Sequence, residues 1–99
     1  MIVHIVLLKL KPGLARDDKR VQDAFAELAG VGAQVPGVAR WECGWNVAQH
    51  AAAYDIALLS EFRSQADLDA YGPHPAHVQV GKKLEALTDF VFCDYDVSA

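Results

Sequence analysis

Tyr71, His74 and His77 sit together in the stretch Tyr71-Gly72-Pro73-His74-Pro75-Ala76-His77, so one phenol and two of the chain's four histidines surround a single glycine–proline break. An imidazole titrates near neutral pH, and one that is held by a carboxylate against an apolar pocket can serve as a general base. A neighbouring phenol can donate a hydrogen bond to a developing enolate oxygen. Asp94, on the segment that follows the His77 helix, is the carboxylate expected to hold His77. The plainer reading stands beside this one: a histidine on an apolar helical stripe is more often a satisfied core residue than a catalytic one.

The elements that must place these groups follow from periodicity. Met1–Leu10 is apolar at almost every position, which predicts a strand covered on both faces, with His4 on the same face as Val6 and Leu8. His4 is then either a pocket wall or a neutral imidazole hydrogen-bonded inside an assembly. The spacing predicts a helix over Arg16–Ala29, with Asp17 and Asp18 in its first turn, Val21, Ala24, Phe25 and Leu28 on one stripe and Gly30 as its stop. Val38–Val47 alternates as an edge strand, with Ala39, Trp41, Cys43, Trp45 and Val47 on one face. Tyr54–Phe62 is a further strand. Ser64 with Asp67 resembles a capping box and opens a short helix that ends near Tyr71. Pro75 suits the first turn of the next helix, whose stripe runs through His77, Val80, Gly81, Leu84 and Leu87. Phe90–Val97 is the last strand. Strand–helix–strand–strand–helix–strand is the α+β, ferredoxin-like split βαβ order, an antiparallel four-stranded sheet with helices on one face. The two apolar faces of the first strand call for a cover on the far side, and a second copy of the chain is the economical one.

Composition narrows the partners. Ninety-nine residues make one domain, and although 53% are hydrophobic, sixteen are alanines, so the core is modest. A net charge of −4 argues against a nucleic-acid binder, which needs a basic face. Ile2–Leu8 is too short to span a bilayer and lacks the preceding positive charges of a leader, so the expected location is the cytoplasm, with no membrane partner. Cys43 and Cys93, far apart and without a C-x-x-C, read as small buried hydrophobes. His74 and His77 could form a metal pair, but Pro75 and the helix start point them apart and a third ligand is lacking, so neither metal nor cofactor is expected. Trp41 and Trp45 suit a core or interface. His50 is expected to be solvated; the Asp94/Asp96 pair could bind a cation, although acidic residues at a chain end are usually just solvated.

Three segments together resemble the stress-responsive A/B barrel (Dabb) family: His4-Ile5-Val6-Leu7-Leu8-Lys9-Leu10-Lys11-Pro12-Gly13, the Ser60-Glu61-Phe62 strand end leading through Tyr71 to His74-Pro75-Ala76-His77-Val78, and Phe90-Val91-Phe92-Cys93-Asp94-Tyr95-Asp96. The resemblance spans nearly the whole chain. It implies a homodimer whose two sheets close into an α+β barrel. By similarity to cofactor-free polyketide cyclases of that family, it implies His77 as base, Tyr71 beside it as oxyanion donor, Asp94 holding the base and His4 near the cavity. Ile56 stands where those cyclases carry a cavity histidine, and Phe25 and Leu28 stand where a first-helix tyrosine lines their pocket. The function expected first is binding of a small apolar or phenolic molecule between sheet and helices, with a cyclase-like or isomerase-like activity. A non-catalytic oligomeric stress protein is the alternative. A haem-degrading or quinone-forming monooxygenase of the same barrel superfamily is the third.

Overall fold

The computed structural model describes Met1–Ser98. Its elements are β1 (Ile2–Leu10), α1 (Lys19–Val31), β2 (Val38–Trp45), β3 (Ile56–Phe62), α2 (Gln65–Tyr71), α3 (Pro75–Leu87) and β4 (Thr88–Asp96). The strands pair antiparallel in the order β2-β3-β1-β4, the ferredoxin-like arrangement, with the helices on one face. Alternation decides which side chains meet those helices. Ile2 and Leu8 of β1 and Ile56, Leu58 and Phe62 of β3 form the buried face against Ala24, Leu28 and Val31 of α1 and Val80, Leu84 and Leu87 of α3.

Several boundaries differ from the sequence expectation, each for a local reason. The first helix begins three residues later, because Asp18 acts as its N-cap and accepts a 2.9 Å bond from the Arg20 amide, so no acidic residue lies in the first turn. It also runs past Gly30 to Val31, which is fully buried. Gly32 caps it, in close contact with Trp41: a Cβ there would overlap the indole. That approach lets Trp41 Nε1 donate to the Leu28 carbonyl at 3.0 Å, in the last turn of α1. In β2 an irregularity between Val38 and Arg40 turns Ala39 outward, so Val38, Trp41, Cys43 and Trp45 pack against the core, and the strand stops at Trp45 rather than Val47. Asp55 ends the β2–β3 connection: its carboxylate accepts from the Leu10 amide at 2.7 Å and its own amide donates to the Leu8 carbonyl at 2.9 Å.

The α2–α3 corner forms as its sequence dictates. Ser64 accepts from the Asp67 amide at 3.1 Å and starts α2. His74 caps α3 by accepting from the Ala76 amide at 3.1 Å, and Pro75 takes the first turn. Leu87 of α3 leads straight into β4 at Thr88.

β4 is an edge strand that no helix covers. Phe90, Phe92 and Asp94 pair with Leu8, Val6 and His4 on the inner side, while Val91, Cys93 and Tyr95 pair with Leu7, Ile5 and Val3 on the outer side. Leu7, Val91 and Tyr95 are exposed, so the outward sheet face is apolar as well. Cys93 is exposed there, contrary to the buried position expected for it, and Cys43 is half-buried.

Position in these layers sets the cost of truncation. Phe62, at 0% exposure, should lose roughly 3–5 kcal/mol on change to alanine. Phe92, at 63% exposure, should lose under about 1 kcal/mol. Urea unfolding of the two variants checks this.

Candidate functional site

Between the inner sheet face and helices α2 and α3 lies an open cavity of about 640 Å³. Its walls are mostly apolar, with Val6 and Leu8 of β1, Leu28 of α1, Leu58 of β3 and Val80 and Leu84 of α3. Phe90 and Phe92 of β4 form its exposed edge. Asp69, Lys82 and Glu85 are among the polar residues that line it from the helices. His4, Tyr71, His77 and Asp94 all line it too, so the four residues singled out in the sequence meet at one place.

Tyr71 is the centre of that group. It is 4% exposed, and its ring lies 4.2 Å from the His77 ring and 5.7 Å from the His4 ring, centroid to centroid. Phe62 and Trp41 pack against it from the core, at 5.1 and 5.9 Å. Burial pushes the Tyr71 phenol well above the usual tyrosine range, and negative charge at Cys43 and Asp94 adds to the shift. The hydroxyl therefore stays protonated at neutral pH and is a hydrogen-bond donor. Burial also raises the Cys43 thiol, to about 11, against a smaller opposing hydrogen bond from Trp41, so this cysteine is a poor nucleophile.

The two imidazoles are held differently from the sequence expectation. Asp94 does not hold His77. It bonds to Nδ1 of His4, its direct partner across the β1–β4 ladder. His77 Nδ1 instead meets the Gly72 carbonyl at 2.7 Å. A carbonyl oxygen and an ionised carboxylate accept hydrogen bonds and cannot donate them, so each Nδ1 carries the proton in the neutral ring. Nε2 of each is left as the free acceptor, the state a general base requires. His4 is nearly buried at 9% exposure, whereas His77 is half-buried at the end of the α3 stripe.

Other expected residues sit elsewhere. Leu28 lines the cavity, but Ile56 and Phe25 do not. Ile56 packs in the core and lines a separate depression beside Trp45 and Tyr54. Phe25 stacks on Trp45 at 4.9 Å, and the Arg16 guanidinium lies 4.4 Å above the other ring system's centre, so this face of α1 is closed by an aromatic–cation stack. His74 spends Nδ1 on its helix cap rather than on a metal pair. Among the described residues no group of three or more His, Cys, Asp or Glu side chains converges on one point. His50 is exposed and accepts from the Ala52 amide at 3.0 Å. Phe90, Phe92 and the helical polar residues were not singled out in the sequence; the inward parity of β4 is the signal that points to the two phenylalanines.

The model of the stress responsive A/B barrel domain matches residues 2–97. The chain belongs to that family. An uncharacterized protein of Streptomyces coelicolor is 37% identical over 97 residues, 97% of this chain and 99% of that protein. Among solved structures, a dimeric protein of unknown function and ferredoxin-like fold from Bacteroides fragilis superposes with a TM-score of 0.82 at 28% identity, covering 96% of this chain and 94% of that one. The hydroxynitrile lyase of Passiflora edulis superposes with a TM-score of 0.79 at 22% identity, covering 95% and 90%, a likeness of fold. This A/B barrel domain protein thus shares its architecture both with chains of unknown function and with an enzyme.

The buried phenol gives a direct optical test. A phenol whose folded-state ionisation lies above its unfolded value, near 10, adds stability below that pH and loses it as pH rises further. The ultraviolet difference between wild type and Tyr71→Phe should therefore show no phenolate band from Tyr71 through about pH 10 while the fold persists. A band rising there would place the hydroxyl in water.

Proposed function

We propose that this A/B barrel domain protein binds a small apolar or phenolic molecule in the cavity between sheet and helices and moves a proton on it, in a cofactor-free cyclisation or isomerisation. His77 is the base through Nε2, Tyr71 the donor to the oxygen that gains charge, and the His4–Asp94 pair a second polar contact. The observation that carries this reading is the pair of imidazoles, each tied through Nδ1 to an acceptor, flanking one buried protonated phenol at the wall of an apolar cavity. Mostly apolar walls favour an apolar ligand body, and the polar His4–Tyr71–His77 corner fixes its orientation. A ligand that displaces water there strengthens each hydrogen bond to a developing charge. The aspartate assigned by resemblance to His77 supports His4 instead, and the Gly72 carbonyl takes over its orienting role.

The protein acts as a homodimer in this reading. Exposed Leu7, Val91 and Tyr95 give the outer sheet face the apolar character an interface needs, and the Bacteroides relative is described as dimeric. No helix among the described residues is long and apolar enough to cross a membrane. The free thiols Cys43 and Cys93 suit a reducing compartment, and we assign the protein to the cytoplasm.

A thermal-shift screen of small phenolics and polyketide-like acids tests the binding site. A ligand at about 100 times its Kd adds about 2.7 kcal/mol, roughly 10–20 °C in Tm for a domain of this size. Wild type should respond, folded His77→Ala should lose the response and Tyr71→Phe should weaken it. A His77→Ala protein that is merely less stable, with no ligand response in either form, would make His77 a structural residue and favour the non-catalytic assembly role.

A further inference from the structure

The carbonyl that orients His77 belongs to a residue with an unusual constraint. Gly72 closes α2 with φ −50° and ψ −54°, a right-handed helical conformation, and Pro73 follows it. A residue before proline is normally driven out of that conformation, because its Cβ and N–H crowd the proline ring, and moves to extended backbone with ψ near +120 to +160°. Glycine lacks the Cβ and stays. If residue 72 moved to the extended region, its carbonyl would swing away from α3.

The surrounding contacts show what the retained conformation achieves. The Gly72 carbonyl lies at the C-terminal end of α2, where helical carbonyls have no partner in the helix, and His77 Nδ1 approaches it at 2.7 Å. The chain between them is fixed at both ends: the His74 amide donates to the Tyr71 carbonyl at 3.1 Å, and the Val78 amide donates to the His74 carbonyl at 3.0 Å. Pro73 brings no amide proton that could compete for an acceptor at this corner. The space beside Gly72 is open, since an added Cβ would meet nothing nearer than the Asp69 carbonyl oxygen at 3.8 Å. Sterics around the site therefore do not call for glycine; the following proline favours it.

We propose that Gly72 and Pro73 are positioning residues that set the His77 tautomer, the glycine holding a helical carbonyl ahead of the proline so that Nδ1 keeps its proton and Nε2 is the nitrogen presented to the cavity. The inference rests on the base role given to His77 above, and its test is independent of any ligand. Nitrogen-15 spectra of the His77 ring distinguish a protonated from a bare nitrogen directly.

Wild type should show the Nδ1–H form as the dominant neutral species. Gly72→Ala should lose that dominance and give a mixture in which Nε2–H is populated. Gly72→Ala combined with Pro73→Ala should restore the Nδ1–H form, because the pre-proline restriction is gone and the Cβ has room. A role confined to stability would shift Tm in these variants without changing the tautomer. An Nε2–H or mixed tautomer in wild type overturns the proposal, and so does a Gly72→Ala ring identical to wild type. If Gly72→Ala fails to fold, the wild-type and double-variant spectra still decide it: both must be dominated by Nδ1–H. A wild-type ring in the stated tautomer with no ligand response in the thermal screen would retain the positioning device and remove the catalytic reading alone.

Discussion

The Tyr71 ring meets the rings of His4, Trp41, Phe62 and His77, which come from β1, β2, β3 and α3. It is the last residue of α2 and is almost fully buried, so the end of that helix is anchored in the core. The corner that follows, with the Gly72 carbonyl, the His74 cap and the start of α3, is built outward from this anchor. Burial keeps the phenol protonated, and Tyr71 itself forms part of the cavity wall. One packing requirement thus serves both stability and the chemistry of the polar corner.

Much of this was legible in the sequence. The stripe Val80, Leu84 and Leu87 is buried, the capping serine Ser64 opens α2, Pro75 opens α3, and the strand–helix order yields the ferredoxin-like sheet. Tyr71, His77, His4 and Asp94 were expected near one cavity and line it. The partner of Asp94 was not legible, because it depends on the register between two strands at opposite ends of the chain. His4 and Asp94 lie directly across that ladder, and a slip of a single residue would have turned Asp94 to the opposite face. His77, left without a carboxylate, is held by a backbone carbonyl, an acceptor that no side-chain pattern advertises. Phe25 and Ile56 were assigned to the pocket by likeness to cyclases. The Trp45 ring claims Phe25 through stacking, and Ile56 faces the core at the other end of the sheet.

The departures matter for what the cavity can recognise. With Ile56 and Phe25 elsewhere, its polar groups concentrate at the His4–Tyr71–His77 corner and along the helices, and its remaining surface is largely apolar. The exposed edge at Phe90 and Phe92 exists because β4 has no helix over it, which leaves the route to the polar corner open. An apolar wall and a small donor–acceptor set can then vary separately, in line with the general rule that one fold hosts many functions.

The central claim is that Nε2 of His77 is a base within reach of a bound carbon acid, and deuterium exchange measures it. A phenolic 1,3-dicarbonyl probe in heavy water, followed by proton magnetic resonance, reports loss of its acidic C–H with and without protein. General-base catalysis is worth roughly 10²–10⁴-fold, so wild type should exchange the probe well above the buffer rate and folded His77→Ala should fall back to it. Equal exchange with wild type and with His77→Ala would contradict the account.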